Sequence, residues 1–428
     1  MNSRQVTTWL DSLGFRGIKL GLENITLLLS RLGDPHRRYP VIHVTGTNGK
    51  GSTCAMVAAI LKAAGYRTGI YTSPHLTDVA ERFAVDGAPV SGRSLATAAT
   101  AVRSAADVDP PIPVTYFEAT TAMAFLLFAD AAVAAAVVEV GLGGRFDATN
   151  VVDPVVAVIT SVGVDHTAEL GGTLREVAFE KMGIVKPGRP LVCGVVDKKV
   201  AGPMAAEARR RKAPLFFIGD DFTATRTGSF SGGERFRYVD RTTKMPRLAI
   251  GMVGKAQVAN AGAAIKTALL LAADRFDRID ETAIRAGLAM VSVPGRFERM
   301  GAGPTAILDG AHNRAAAAGL AATIKARFGK PVHLIFGAMA DKEYHRMLAS
   351  LSPIAASVTL FAPPGDRAAT CDAMEQALGD YAGPIRRGMS AAAVAAMVAG
   401  AGAAEVFLVT GSFYTVAALR PALLATLR

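Results

Sequence analysis

The chain has 428 residues, half of them hydrophobic and 19% charged, too long for one compact core and too apolar for a disordered protein. Its formal charge is +11, from 47 basic and 36 acidic side chains scattered without long runs. With one tryptophan and no basic stretch interleaved with aromatics, that balance argues against nucleic-acid binding and leaves small polyanions as charge-matched ligands. Cys54, Cys193 and Cys371 stand far apart, so neither a zinc cage nor a disulfide framework is indicated, and a reducing cytoplasm is the expected compartment. The opening MNSRQVTTWLDSLGF has no apolar core of the kind a secretory signal carries.

In chain order, VIHVT (41–45), TGIYTS (68–73), AAVVEV (135–140) and VVAVITS (155–161) read as strands buried on both faces. Segments 52–65, 94–106, 117–129 and 173–184 read as the intervening helices. Ala122–Val138 is nearly all apolar, but Asp130 interrupts it, so it reads as a buried helix followed by a buried strand and not as a membrane span. Residues 222–250, rich in Thr, Arg and Gly, read as a hairpin-rich patch. A second alternating set follows: strands at 306–310, 332–339, 357–363 and 405–412, helices near 313–328, 343–352, 370–379 and 390–401. This alternation predicts an α/β fold. A parallel-sheet P-loop ATPase-like domain is expected over 1–292 and a smaller Rossmann-like C-terminal domain over 293–428. The boundary falls where Pro and Gly break VSVPGR (291–296), and the active site is expected in the cleft between the halves.

The strand 41–45 runs into GTNGKGST (46–53) and then a helix. Gly46, Gly49 and Gly51 allow backbone N–H groups to approach phosphate oxygens, Lys50 supplies a point charge for the β- and γ-phosphates, and Ser52 or Thr53 offers a hydroxyl to phosphate or metal. The spacing departs from the common G-x-x-x-x-G-K-[ST] by a glycine between lysine and serine. A nucleotide loop alone does not name a reaction.

Further motifs do. TGTNGKGST, TSPHL (72–76) with ERF (81–83), FEATT (117–121), EVGLGGRFDATN (139–150), TSVGVDHTAELGGTL (160–174), EKMGIVKPG (180–188), PGRFE (294–298), DGAHN (309–313), FGAMADKE (336–343) and TGSFY (410–414) occur in this order over nearly the whole chain. Together they resemble folylpolyglutamate synthase/dihydrofolate synthase, the folate branch of the Mur ligase superfamily. The resemblance implies ATP-dependent amide formation. A carboxylate is phosphorylated by ATP, and the amino group of L-glutamate then displaces phosphate. Dihydropteroate or reduced folates are the implied acceptors, and a monomer acting on small molecules, without nucleic acid or membrane, is expected.

The resemblance also assigns residues. Gly49, Lys50, Gly51, Ser52, Asn260, Arg296 and Asp309 are implied as ATP contacts, with His312 a weaker candidate. Ser73 and Glu139, at strand ends, are implied as ligands of a first Mg2+, and His166 as ligand of a second. Lys50, His166 and Lys181 are implied in catalysis; the family's lysine at the position of Lys181 is carbamylated, which turns a cation into a carboxylate able to help hold the second metal. By composition alone Lys181 reads as a solvated neighbour of Glu180. Phe117, Glu118, Phe146, Asp147 and Ala148 are implied as the folate site, an aromatic face for the pterin and carboxylates for its amino-pyrimidine edge. One departure stands out: the family's G-x-H-Q is GKAQ here, with Ala256 at the histidine position.

Other readings explain less. A peptidoglycan Mur ligase carries a domain ahead of the loop, and 45 residues leave little room for one. A P-loop kinase does not account for EVGLGGRFDATN or the second α/β half. A binding module has no use for Lys50, Ser73, Glu139 and His166 together. Whether the chain adds the first glutamate, extends existing tails, or does both is open at this level.

Overall fold

The computed structural model describes residues 1–14, 21–195 and 197–427. The chain divides into two compact units, Met1–Gly251 with Ala256–Val291, and Met252–Lys255 with Ser292–Arg428.

The first unit is built on an eight-stranded sheet. Its strands are β1 (Val41–Thr45), β2 (Thr68–Tyr71), β3 (Phe83–Val85), β4 (Ala88–Pro89), β5 (Ala135–Glu139), β6 (Val156–Ser161), β7 (Leu191–Val195) and β8 (Leu215–Phe217). They lie in the order β4-β3-β2-β5-β1-β6-β7-β8. From β2 to β8 every pairing is parallel, and β3 and β4 add an antiparallel edge. β1 and β5 are buried along their whole length, as continuous apolar runs in a sheet covered by helices must be. β1 lies between β5 and β6; the chain leaves β1 toward β2 on one side of the sheet and leaves the adjacent β6 toward β7 on the other. The carboxyl ends of β1 and β6 therefore flank a switch point, where open α/β sheets bind ligands.

The apolar stretch 122–138 resolves into two elements, as its interruption by Asp130 suggests. The helix Tyr116–Asp130 is apolar on nearly all sides and buried among Ala98, Val102 and Phe83, and β5 follows it. The helix Lys255–Asp274 is, among the described residues, the one long and apolar enough to cross a membrane; 56% of its apolar window is buried inside the fold. Residues 222–250 form a three-stranded antiparallel sheet, β9 (Phe222–Phe230), β10 (Gly233–Asp240) and β11 (Lys244–Ile250), whose Phe236, Tyr238, Leu248 and Ile250 point inward.

The second unit has a six-stranded sheet of β12 (Glu298–Met300), β13 (Thr305–Leu308), β14 (Val332–Phe336), β15 (Ala355–Leu360), β16 (Ile385–Arg387) and β17 (Val406–Thr410), in the order β12-β13-β17-β14-β15-β16. Only the edge strand β12 is antiparallel. Ile307, Leu334, Phe336, Val358 and Leu408 bury the face toward helices Arg314–Phe328 and Tyr344–Leu351.

Candidate active site

The loop after β1 is held from one side by the end of β6. Thr47 N–H donates to Ser161 O at 3.0 Å, Asn48 N–H to Ser161 Oγ at 2.9 Å, and Thr160 Oγ1 to Asn48 O at 2.6 Å. Gly49 turns into the helix Lys50–Ala63 at φ +89°, and a Cβ there would lie 2.5 Å from Asn260 Oδ1. Glycine is thus required twice, by the left-handed backbone and by the side chain against it. Lys50, the first helical residue, folds back so that Nζ donates to Gly46 O at 3.0 Å. A cation, N–H groups with no intrahelical acceptor and a helix dipole therefore meet at one point.

Glu139 ends β5 beside this loop. It is 4% exposed, and its Oε2 accepts the Ser73 N–H at 3.2 Å. A Cβ on Gly51 would come within 3.3 Å of the same oxygen, so the missing side chain allows the carboxylate to approach the helix start. One buried carboxylate and a nearby hydroxyl form a hard oxygen donor set. Among the described residues no three His, Cys, Asp or Glu side chains cluster as a metal cage. That combination fits Mg2+, which is commonly held by one or two carboxylates with substrate phosphates completing the shell.

Lys181 lies near the end of the helix Leu174–Met182 and is 3% exposed. The pairing with Glu180 that adjacency suggests is not made: Glu180 binds Arg145 at 2.8 Å, and Arg145 is itself sandwiched between Phe146 at 4.2 Å and Phe179 at 4.9 Å. Lys181 Nζ forms no hydrogen bond or ion pair with a described residue. Burial, reinforced by repulsion from Lys50 and opposed by Asp165 and Asp147, pulls its pKa down to about 7. His166 follows β6, adopts φ +52° as the residue before the helix Thr167–Leu170, and keeps its ring 41% exposed, with Nε2 4.0 Å from Asp165 Oδ1.

At the expected folate residues the two carboxylates are occupied by local backbone. Glu118 Oε2 accepts the Thr115 N–H at 2.8 Å in a capping box that starts the helix Tyr116–Asp130. Asp147 accepts from Leu142 N at 2.9 Å, Thr149 N at 3.0 Å and Thr149 Oγ1 at 2.5 Å, and burial raises its pKa. Phe117 covers Gly141, where a Cβ would sit 2.5 Å from the ring, and packs 6.1 Å from Tyr71. Phe146 precedes Asp147 on the loop, and Ala148 is buried in the turn that follows.

The first unit therefore brings together the surroundings of Lys50, Gly51, Ser73, Glu139, Lys181 and Asn260. In the second unit Arg296 lies over the Phe413 ring at 4.3 Å, Asp309 accepts from Phe297 N and Ala311 N at 2.9 Å each, and His312 Nδ1 lies 2.9 Å from Gly310 O. Burial raises the Asp309 pKa, and Arg296 opposes the rise. Sequence reasoning assigned no role to Thr160, Ser161 and Asp165, although all three stand in the quoted TSVGVDH; a hydroxyl pair at a strand end was the available signal.

The comparisons agree with this architecture. Residues 44–268 match the Mur ligase middle domain and residues 295–413 the Mur ligase, glutamate ligase domain, so fold and loop define a Mur-type ligase. The chain is 36% identical over 82% of its length to the dihydrofolate synthase/folylpolyglutamate synthase of Bacillus subtilis, 83% of which is covered. It also aligns with Mycobacterium tuberculosis folylpolyglutamate synthase complexed with ADP, at a TM-score of 0.89 and 34% identity, covering 98% of this chain and 97% of that one. E. coli FolC in complex with DHPP and ADP gives a TM-score of 0.89 at 33% identity, covering 99% and 98%. The chain belongs to the dihydrofolate synthase/folylpolyglutamate synthase family.

Proposed function

We propose that the chain ligates L-glutamate to dihydropteroate, to the glutamate tail of reduced folates, or to both, at the expense of ATP. The observation that carries this reading is the meeting of the lysine-bearing loop, Glu139 and Ser73 at the carboxyl ends of β1, β5 and β2 in a chain of this family.

In the first step a carboxylate oxygen of the acceptor attacks the γ-phosphorus; the bond to the ADP oxygen breaks, leaving an acyl phosphate. In the second, the glutamate nitrogen attacks the acyl carbon, the carbon–oxygen bond to phosphate breaks, and the amine proton leaves to solvent or a base. Lys50 and the N–H groups at the start of its helix would neutralise the phosphate charge that moves. Asn260, packed on Gly49, would keep the loop in register, and Ser52 would offer its hydroxyl. Ser73 and Glu139 would hold a Mg2+, whose role is to offset charge on the β- and γ-phosphates. Arg296 and Asp309 are assigned to the nucleotide, and Phe117, Glu118, Phe146, Asp147 and Ala148 to shaping the folate site.

For Lys181 we propose carbamylation. Its buried amine, without a hydrogen bond or ion pair to a described residue and beside Lys50, is costly as an ammonium. The neutral amine adds to CO2, forming an N–C bond and releasing one proton, and the anionic product would face Lys50 attractively and complete a second metal set with His166. Bicarbonate labelled with carbon-13 should give a carbamate signal in the wild type and none in Lys181→Met; active enzyme lacking that signal would refute the modification.

The reaction is tested by ADP release with ATP, Mg2+ and L-glutamate, measured in parallel on dihydropteroate and tetrahydrofolate, with product tail length read by mass. Stimulation by neither acceptor would favour a Mur-type ligase with another carboxylate substrate.

A further inference from the structure

The motifs TSPHL and ERF enter the proposed reaction only through Ser73. Their remaining residues fold into a rigid unit after β2. The Glu81 carboxylate accepts the backbone N–H groups of Leu76 at 2.7 Å, Thr77 at 3.0 Å and Asp78 at 3.1 Å, which fixes the turn carrying His75. The next residue, Arg82, accepts the Thr72 N–H on its carbonyl at 3.1 Å and directs its side chain inward.

Arg82 is 9% exposed. Its Nε donates to His75 Nδ1 at 2.9 Å, and its guanidinium lies 5.3 Å from the centroid of the Tyr116 ring. Nη1 and Nη2 hydrogen-bond to no described residue, and no described carboxylate pairs with the side chain. The adjacent Glu81 is already committed to backbone. A guanidinium with so little of its side chain in water normally keeps a carboxylate or a full set of acceptors; its Nη atoms are not fully buried, so the fork is open to an acceptor from outside. Here the loop holds the charge in place with its fork unfilled by any described residue. Two parallel N–H donors fit the two oxygens of a carboxylate. His75, accepting at Nδ1, carries the proton of its neutral ring on Nε2 and can add a further donor. Tyr116 and Phe117, the aromatic residue assigned to the folate, are consecutive residues in the first turn of the same helix.

We propose that Arg82, oriented by His75 and by the loop tied to Glu81, binds a substrate carboxylate that does not take part in bond formation. The proposal rests on the folate-ligase reading. The ligand chemistry is a glutamate carboxylate, and it has two sources: the tail of a folate that already carries glutamate, or the incoming L-glutamate. Dihydropteroate carries no glutamate, so the two acceptors separate the sources.

The test is steady-state kinetics of wild type, Arg82→Gln and Arg82→Lys on tetrahydropteroyl monoglutamate and on dihydropteroate, with thermal midpoints for each. Arg82→Gln is expected to raise one KM at least tenfold with kcat within about threefold, and Arg82→Lys to fall between it and wild type. A rise in the monoglutamate KM without a rise for dihydropteroate assigns the tail. A rise in the L-glutamate KM with both acceptors assigns the incoming amino acid. Should Arg82→Gln fail to fold, Arg82→Lys, which keeps the charge but not the fork, must still raise that KM severalfold. Unchanged KM values, or a loss in kcat alone, would overturn the assignment while leaving the ligase reading intact. A wild type inert on both acceptors would overturn the ligase reading and this assignment with it.

Discussion

The two units end their parallel sheets in different electrostatic states. In the first, cations are buried or half-buried without an ion pair to a described residue: Lys50 on the Gly46 carbonyl, Lys181 with no described partner, Arg82 with a fork that no described residue fills. In the second, the charges at the equivalent strand ends are used within the fold. Asp309 takes two backbone N–H groups, Glu298 is bound by Arg420 at 2.7 Å, and Arg296 rests on an aromatic ring. Uncompensated positive charge costs stability and is recovered when an anion binds; a satisfied loop carboxylate contributes stability at all times. The contrast implies that substitutions at the first site cost activity before stability, and those at the second cost stability first.

The largest expected effect is at Lys50. Lys50→Ala removes the charge on the transferring phosphate and should lower turnover on both acceptors by at least about a hundredfold, with a nearly unchanged thermal midpoint. Turnover above roughly a tenth of wild type would mean that this loop is not the catalytic one. Lys181→Met comes next. It keeps length and apolar packing but removes a buried charge, so turnover should fall by about two orders of magnitude while stability holds or rises by about 1 kcal/mol. A large loss of stability, read from urea midpoints, would place Lys181 among the structural charges instead.

Asp309→Ala probes the other side of the contrast. It strands the N–H groups of Phe297 and Ala311, at about 1 kcal/mol each, so roughly 2 kcal/mol of stability should be lost together with a severalfold rise in the KM for ATP. Full stability with a large activity loss would make the two units alike and erase the distinction.

How much of this was legible in sequence differs residue by residue. β1, its glycine loop and the following helix declare themselves by an apolar run meeting glycines and a lysine, because one strand and one helix turn determine that geometry locally. Ser73 and Glu139 could be read as strand-end groups for the same reason. Lys181 could not be read as buried: adjacency to Glu180 suggests a solvated pair, and only the Arg145 side chain, arriving from another loop, draws Glu180 away. Glu118 and Asp147 carry local signals of another kind. Thr115-x-x-Glu118 is a capping-box pattern, and Asp147-Ala-Thr149 is a turn in which the carboxylate accepts the N–H two residues on, so their structural duties are legible in the sequence beside the folate role that the resemblance implies. Arg82 carries no local signal, since its isolation depends on which carboxylates fold elsewhere.

The smallest expected effect concerns a buried group that no step of the reaction uses. His43 on β1 is fully buried, with Nε2 2.8 Å from Thr149 Oγ1. That hydroxyl donates to Asp147, so it accepts from the ring, which places the proton on Nε2 and leaves the buried Nδ1 without a partner. Burial, aided by Lys186, lowers the His43 pKa to about 3. The folded value lies below the unfolded one of about 6.5, so below that pH the unfolded chain takes up a proton that the native chain refuses. Stability should therefore fall as the solution is acidified from about pH 6.5 toward 3, by about 1.4 kcal/mol per pH unit once the unfolded histidine is charged. His36 and His75 are also lowered, chiefly by burial, and add to the slope. In His43→Leu the slope of unfolding free energy between pH 6.5 and 5, above most carboxylate titration, should shrink by close to one proton. Turnover near neutral pH should stay within about threefold of wild type, because the ring reaches the loop only through Thr149. An unchanged slope would mean that His43 is protonated in the folded protein, with Nε2 still donating to Thr149 and the Thr149 hydroxyl still donating to Asp147.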